Sequence, residues 1–117
     1  MVLIEPDVSV RDALKLLLKG EGWQVQCLDD CDQLVAAIQD TSVVAVISES
    51  SLPGCSPQEV FEQCSKHSLP VIFTGHDQSL QGAVDLIRQG ALDFLDKPFP
   101  QSRLLDLLED LEQRQLN

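Results

Sequence analysis

Polar side chains that could bind a charged ligand follow four short apolar runs of the sequence. They stand in the groups Glu5-Pro6-Asp7, Ser48-Glu49-Ser50, Thr74-Gly75-His76 and Asp96-Lys97-Pro98. Carboxylates ligate hard cations such as Mg²⁺, a hydroxyl donates and accepts hydrogen bonds, and a lysine ammonium pairs with anions. Carboxylates, hydroxyls and an ammonium would therefore form a charged site if the fold brings the four groups together.

The elements that would position them alternate between short strands and helices, which is typical of parallel βαβ units. The apolar runs predict strands at about residues 1 to 4, 23 to 27, 43 to 47, 70 to 73 and 92 to 95. Right-handed crossovers favour a flavodoxin-like α/β fold with strand order 2-1-3-4-5 and five helices on two faces. Its switch point lies between strands 1 and 3, where ligands bind at the carboxyl ends of the strands. The four polar groups are predicted to meet there.

Capping residues and apolar spacing predict the helices. Asp30 before Gln33, and Ser56 before Glu59 with Pro57 between them, indicate helix starts, and Ser9 stands at the start of the first helix. The last two helices are predicted at about residues 79 to 89 and 101 to 114. The residues predicted to pack on the sheet are Val10, Ala13, Leu14, Leu17, Leu18, Leu80, Ala83, Val84, Ile87, Leu104, Leu107, Leu108 and Leu111.

Size and charge limit the class of protein. With 117 residues, 44% of them hydrophobic, the chain is predicted to form one domain over residues 1 to 117. Its formal net charge of −11 would repel a phosphate backbone, so we expect no direct contact with nucleic acid. No apolar run is long enough to cross a bilayer, and the start MVLIEPD lacks the features of a signal peptide, so we expect a cytoplasmic protein that does not contact membranes.

The cysteines and histidines suggest no catalytic or metal site. Cys27, Cys31, Cys55 and Cys64 lack paired CxxC spacing and a matching His pair, and we interpret them as reduced packing thiols. Cys27 and Cys31 could meet at the exit of the second strand, although nothing in the sequence requires a disulfide there. His67 and His76 have no evident nucleophile beside them in the sequence, so we do not predict a hydrolase.

Four short motifs occur in a characteristic order. They are Arg-Asp-Ala-Leu at the start of the first helix, Leu-Pro-Gly after the third strand, TGHD after the fourth strand and DFLDKPF around the fifth. With these motifs the chain resembles, from end to end, the receiver domain of two-component response regulators. The resemblance implies a phosphoacceptor aspartate at the end of strand 3, Mg²⁺ held by an acidic pair after strand 1, and a histidine kinase as phosphodonor.

The resemblance also assigns roles to three residues. Lys97 matches the lysine that pairs with the phosphoryl oxygens, and Thr74 matches the hydroxyl that hydrogen-bonds to them. Phe94 matches the aromatic residue that rotates between signalling states. The Lys97-Pro98 bond is expected to be cis, as is typical of the family.

Two positions depart from the family pattern. Glu49 stands at the phosphoacceptor position, and Pro6 replaces the acid of the pair that coordinates the metal directly. Glu5 and Glu49 would have to hold Mg²⁺ alone or through water, so metal binding is predicted to be weak or lost. The extra methylene of Glu49 would carry its carboxylate toward Lys97, which predicts a permanent ion pair. Glu5 and Asp7 could instead cap the first helix.

We therefore predict an atypical receiver, or pseudo-receiver, that is not an enzyme and acts mainly as a protein-interaction module without a cofactor. Its expected partners are an output domain, a second copy of the chain and a histidine kinase. In the family the surface of helix 4, strand 5 and helix 5 makes such contacts. Here that surface would present Arg88, Gln89, Asp93, Arg103, Asp106 and Asp110.

Two alternatives remain at this point. The first is a working phosphoacceptor in which Glu49 or a neighbouring serine accepts the phosphoryl group and Mg²⁺ binds loosely. The second is a flavodoxin-like domain, because the same topology places FMN at the same switch point. The hydroxyl-rich loop SESSLPG could wrap a phosphate, but aromatic side chains that could sandwich a flavin are scarce.

Overall fold

A computed structural model describes residues 1–76 and 80–116 of the chain. Five strands alternate with five helices. In chain order they are β1 (Val2–Ile4), α1 (Val8–Gly20), β2 (Gln26–Leu28), α2 (Leu34–Ile38), β3 (Val46–Glu49), α3 (Pro57–Lys66), β4 (Val71–Gly75), α4 (Leu80–Gln89), β5 (Asp93–Asp96) and α5 (Gln101–Leu116).

The strands form one parallel sheet in the order β2-β1-β3-β4-β5. This confirms the predicted flavodoxin-like fold and its switch point between β1 and β3. Helices α2, α3 and α4 cover one face of the sheet, and α1 and α5 cover the other. Each face has its own buried apolar cluster, with Phe73 in the first and Ile72 in the second. Successive residues of β4 thus point to opposite layers, as the pleat of a strand requires.

The central strands begin later than their apolar runs. The third strand was predicted at about residues 43 to 47, whereas β3 spans Val46–Glu49. Val43 and Ala45 are buried but precede the residues that pair with neighbouring strands. The Ala45 carbonyl accepts a hydrogen bond from the Val2 N–H at 3.0 Å, at the edge of the paired region. Hydrophobicity indicates which residues are buried and not which residues pair in the sheet. The apolar run therefore begins before the strand does. Glu49 is therefore the last residue of the strand and is itself held in the sheet.

Of the two helix starts predicted from capping residues, one is confirmed and the other is wrong. The Ser56 hydroxyl accepts a bond from the Glu59 N–H at 3.2 Å with Pro57 in the first turn, which confirms that start. The predicted start at Asp30 is wrong, because α2 begins at Leu34 and the Asp30 carboxylate accepts from Asp32 N–H instead. A short turn at Asp30 therefore competes with the helix for the same side chain.

The first helix is capped two residues earlier than Ser9 suggested. The Asp7 carboxylate accepts bonds from the backbone N–H groups of Ser9 and Val10, at 2.9 and 3.2 Å. A carboxylate there also interacts favourably with the positive end of the helix. The alternative in which Asp7 caps α1 is thus the one that the structure shows.

Two predicted core positions are exposed. Ala13 of α1 is exposed, and 42% of Ile87 in α4 is accessible, while the neighbouring Leu86 is buried. The start of α4 at Ser79 and the packing of Leu80 lie outside the described residues. Of the helices within the described chain, none combines the length and apolar character needed to span a membrane.

The structure pairs Cys31 with Cys55 as a disulfide, which corrects the interpretation of these two as reduced packing thiols. The first lies in the loop after β2 and the second in the loop before α3, so only the fold brings them together. The distance between their Cα atoms is 6.7 Å. Cys27 and Cys64 are unpaired in the described structure.

Candidate functional site

The carboxyl ends of β1, β3, β4 and β5 bring the predicted groups together at one edge of the sheet. Glu49 lies opposite Thr74 in the β3–β4 ladder, and Gly75 lies opposite Asp96 in the β4–β5 ladder. Glu5 directly follows β1, and the Lys97 N–H donates to the Gly75 carbonyl at 2.8 Å. The parallel register thus places side chains that are distant in sequence around the switch point.

At the centre of this crevice the Lys97 ammonium lies between two carboxylates. It contacts Glu5 Oε1 and lies 2.5 Å from Glu49 Oε2. The side chains of Lys97, Glu5 and Glu49 are only 12%, 2% and 9% exposed. We call these three residues the carboxylate–lysine triad. Taking charges out of water is costly, so a buried group of this kind persists only when its members neutralise one another.

The electrostatics of the triad favour a protonated lysine. Burial lowers the pKa of Lys97, but hydrogen bonding and attraction to Glu49 and Glu5 outweigh it, so this pKa is raised above its ordinary value of 10.5. With two carboxylates against one ammonium, the triad carries a formal excess of negative charge. The positive group that could receive an anion is therefore already neutralised.

Backbone contacts fix both carboxylates. Glu49 Oε1 accepts a bond from the Ser51 N–H at 3.3 Å, and Glu5 Oε2 accepts from the Asp7 N–H at 3.2 Å. The Arg11 guanidinium donates to the Glu5 carbonyl at 3.0 Å and ties the start of α1 to the end of β1. These contacts leave the carboxylates little freedom to turn away from Lys97.

The other predicted pocket residues occupy distinct places. Thr74 is buried beside Glu49, as predicted. Pro6 is exposed, and the exposed Asp7 is engaged at the start of α1. The Lys97-Pro98 peptide bond is cis, which confirms that prediction.

The donor set does not fit a magnesium site. Mg²⁺ needs near-octahedral oxygen ligands, and the two carboxylates that could supply them both hold the Lys97 ammonium. Pro6 has no side-chain oxygen, and the Asp7 carboxylate binds backbone N–H groups of α1. Within residues 1–76 and 80–116, no group of three or more His, Cys, Asp and Glu side chains could hold a metal ion.

Phe94 is half-buried and packs against the core cluster beneath α3 and α4. It borders a cavity of about 440 Å³ between these two helices. A Cβ added to Gly75 would lie 3.5 Å from Phe94 Cζ and would collide with the Ser50 hydroxyl. Neither Gly75 nor Arg11 was predicted to have a role at the site, although Gly75 stands in the motif TGHD and Arg11 in the motif Arg-Asp-Ala-Leu.

The predicted interaction surface is partly engaged within the chain. Arg103 Nη2 donates to Asp93 Oδ2 at 3.1 Å and joins α5 to β5, and Asp110 pairs with Arg114 one turn along α5. Gln89 exchanges two hydrogen bonds with Gln58 of α3, at 2.7 and 3.0 Å, so its side chain is held at the α3–α4 contact. The remaining predicted surface residues, Arg88 and Asp106, are exposed.

The family model of the response regulator receiver domain matches residues 1–109 of the chain. Among curated relatives, the transcriptional regulatory protein FixJ of Bradyrhizobium diazoefficiens is 33% identical over 92% of the chain. The C4-dicarboxylate transport transcriptional regulatory protein DctD of Pseudomonas aeruginosa is 39% identical over 91% of the chain. The chain spans 53% of the length of FixJ and 23% of DctD.

Solved structures agree with this match. The receiver domain of NtrX from Brucella abortus has a TM-score of 0.84 at 29% identity and covers 94% of this chain and 95% of its own. A receiver domain protein from Clostridium thermocellum has a TM-score of 0.90 and covers 97% of this chain and 94% of its own. At 19% identity the latter similarity supports the fold alone.

Proposed function

The chain belongs to the response regulator receiver domain family of two-component signalling, and from this membership we propose that it is a pseudo-receiver. In this proposal the domain does not accept a phosphoryl group in the orthodox way, has no enzymatic activity and needs no cofactor. It acts as a protein-interaction module. The observation that carries the proposal is the carboxylate–lysine triad, in which Lys97 is held by both Glu5 and Glu49.

The triad opposes phosphoryl transfer in two ways. Transfer depends on in-line positioning of the acceptor and on neutralisation of charge at the phosphoryl oxygens. The Glu49 carboxylate is turned to Lys97 and anchored to the Ser51 N–H, so it does not project freely into the crevice. The metal that would supply the neutralising charge finds no fitting set of ligands. An incoming phosphodonor would therefore meet an excess of negative charge.

The direct test is to incubate the purified protein with Mg²⁺ and a small-molecule phosphodonor and to record its intact mass. We expect no gain of a phosphoryl group, while a receiver domain that retains its acceptor aspartate gains one under the same conditions. Uptake by the unmodified protein would contradict the proposal and favour the working-phosphoacceptor alternative. Neither that alternative nor a flavin site is favoured by the geometry, because the Lys97 ammonium at the switch point is already paired with Glu5 and Glu49.

We further propose that the surface of α4, β5 and α5 mediates a symmetric dimer. The support is its mixed charge: Arg88 on α4 and Asp106 on α5 are both exposed, so a two-fold axis could pair them reciprocally between two copies. Light scattering should then give a dimer mass that does not change when the phosphodonor is added. The variant Arg88→Glu should shift the protein toward monomer.

Lys19→Glu on α1 is the matched control, because it makes the same charge change at an exposed position away from this surface. It should leave the dimer intact. A monomeric mass for the unmodified protein at every concentration tested would contradict the dimer proposal.

The relatives suggest the wider setting of the domain. FixJ and DctD are named as transcriptional regulators, and this chain matches only part of each. We propose that residues 1–117 form a single receiver unit in the cytoplasm. It would pass its signal to an output domain, on the same or another chain, and could receive it from a histidine kinase. With its net charge of −11, we expect any nucleic-acid contact to lie in that output domain.

A further inference from the structure

The Cys31–Cys55 pair joins two loops at the crevice end of the sheet. Cys31 follows β2, and Cys55 stands directly before Ser56, the residue that caps α3. Their Cα atoms are 6.7 Å apart, within the range in which two cysteines can be joined without moving the backbone. In its thiol form the Cys31 Sγ can donate to the Pro53 carbonyl at 3.9 Å. The same loops can therefore accommodate both a bonded and a reduced pair.

The surroundings of the pair suit thiol chemistry. Both cysteines are half-buried and line a surface cavity of about 300 Å³, so a small oxidant can reach them. Cys55 lies directly before the N-terminal end of the ten-residue helix α3. A partly exposed thiolate with a second cysteine in bonding range is the usual arrangement of a redox-sensitive pair.

The other cysteines provide an internal contrast. Cys64 is fully buried, and burial raises the pKa of its thiol to about 12, which keeps it protonated and unreactive. Cys27 is half-buried on the edge strand β2 and is unpaired in the described structure. Oxidation should therefore be selective for Cys31 and Cys55.

From this geometry we propose that Cys31 and Cys55 form a reversible redox modification site that takes low-molecular-weight disulfides, such as oxidised glutathione, as its oxidant. One cysteine thiolate attacks the disulfide, forming a mixed disulfide and releasing one thiol. The second cysteine thiolate then attacks the protein sulfur and releases the other thiol. Two protein thiols and one small disulfide thus give one protein disulfide and two small thiols.

The structural effect of oxidation would fall on the loop after Glu49. That loop begins with the contact between Ser51 N–H and the Glu49 carboxylate, and it ends in the bridge between Leu52 and Cys55. The disulfide ties it to the loop after β2, across a sequence separation of 24 residues. Oxidation would therefore fix the loop beside the candidate site, whether or not the domain is phosphorylated.

The test uses the full chain. Protein is equilibrated with oxidised or reduced glutathione, denatured, alkylated and analysed by mass spectrometry. We expect four alkylated cysteines in the reduced sample and two, Cys27 and Cys64, in the oxidised sample. Closing a loop of this size should raise the midpoint of thermal unfolding by about 10 °C, and a reducing thiol should reverse the change.

Matched variants separate the pair from the other cysteines. Cys31→Ser and Cys55→Ser should each abolish the thermal shift, and Cys27→Ser should retain it. Four alkylated cysteines after oxidation, protection of a different pair, or a disulfide that a reducing thiol cannot open would each overturn the proposal. The number of alkylated cysteines in the unmodified protein, measured by mass spectrometry, tests the proposal even if a variant fails to fold.

Discussion

Phosphoryl uptake from a small-molecule donor should appear when Glu49→Asp and Pro6→Asp are combined. Shortening Glu49 by one methylene withdraws its carboxylate from the Lys97 ammonium, to which it is now bound at 2.5 Å. That change frees the lysine to pair with an incoming anion. A carboxylate at the exposed position 6, next to Glu5, supplies the oxygen ligand that Mg²⁺ lacks in the present structure.

The gain should be large because positioning and charge neutralisation are restored together. A misplacement of about 1 Å costs on the order of a hundredfold in rate, so we expect uptake at least about a hundredfold faster than the slowest rate that the mass measurement detects, with none seen in the unmodified protein. Intact mass over time gives the rate. Each single variant should increase the rate of phosphoryl uptake much less than the double variant, because the acceptor and the metal act on the same step.

The control for this result is the double variant Glu49→Asn, Pro6→Asn, which has the same side-chain lengths but no carboxylates at either position. It should take up nothing, and a chelator should abolish uptake by the Asp variant. If the Asp variant remains inert while it is folded and binds Mg²⁺, the two positions do not account for the loss of phosphorylation.

Lys97→Met should produce the largest loss of stability of any single change at the site. It leaves the carboxylates of Glu5 and Glu49 buried next to each other without a counter-charge. Removing one partner of a buried ion pair costs about 3–5 kcal/mol in the free energy of unfolding. Denaturant titration at neutral pH measures this loss directly.

Two comparisons make the Lys97 prediction specific. Lys66→Met, at an exposed position of α3, should change the unfolding free energy by only about 0.5 kcal/mol. Adding Glu49→Gln to Lys97→Met should recover part of the loss, because one of the unpaired carboxylates is then neutral. A loss of less than about 1 kcal/mol for Lys97→Met would show that the ammonium is not important for stability.

The stability contributed by Lys97 should also depend on pH. Its pKa is raised in the folded protein by Glu49 and Glu5 against the opposing effect of burial, so the folded state holds this proton more tightly than the unfolded state. The contribution is then complete below about pH 10.5 and is lost as pH rises through the folded-state pKa. The Lys97→Met variant should lack this component of alkaline destabilisation.

Much of the fold follows from local sequence signals. The alternation of apolar runs and the right-handed crossovers predicted the strand order. The polar groups after those runs predicted that Glu5, Glu49 and Lys97 meet at the switch point, whereas Asp7 caps α1 instead. The pairing of Glu49 with Lys97 was predicted from one extra methylene. These inferences succeed because parallel strands align their carboxyl ends, so a position along the chain translates directly into a position in space.

The contacts that were missed depend on tertiary structure. Glu5 was considered as a metal ligand or a helix cap, but it binds Lys97. The position of Lys97 relative to β1 is set by the two strands, β3 and β4, that lie between β1 and β5. Cys31 and Cys55 lie in different loops, and no local spacing relates them. Asp30 was predicted to cap α2, but it closes a short turn because Asx turns and helix caps use the same side-chain chemistry.

The contact between Lys97 and Glu5 joins residues 92 positions apart, almost the two ends of the domain. Contacts between such distant residues carry a high loop-closure cost and form only when the intervening chain is in place. During synthesis, Glu5 and Glu49 emerge long before Lys97, so its ammonium is not yet available to pair with them. The triad is therefore completed only when the fifth strand docks, so a truncated or partly made chain cannot present the finished surface to a partner.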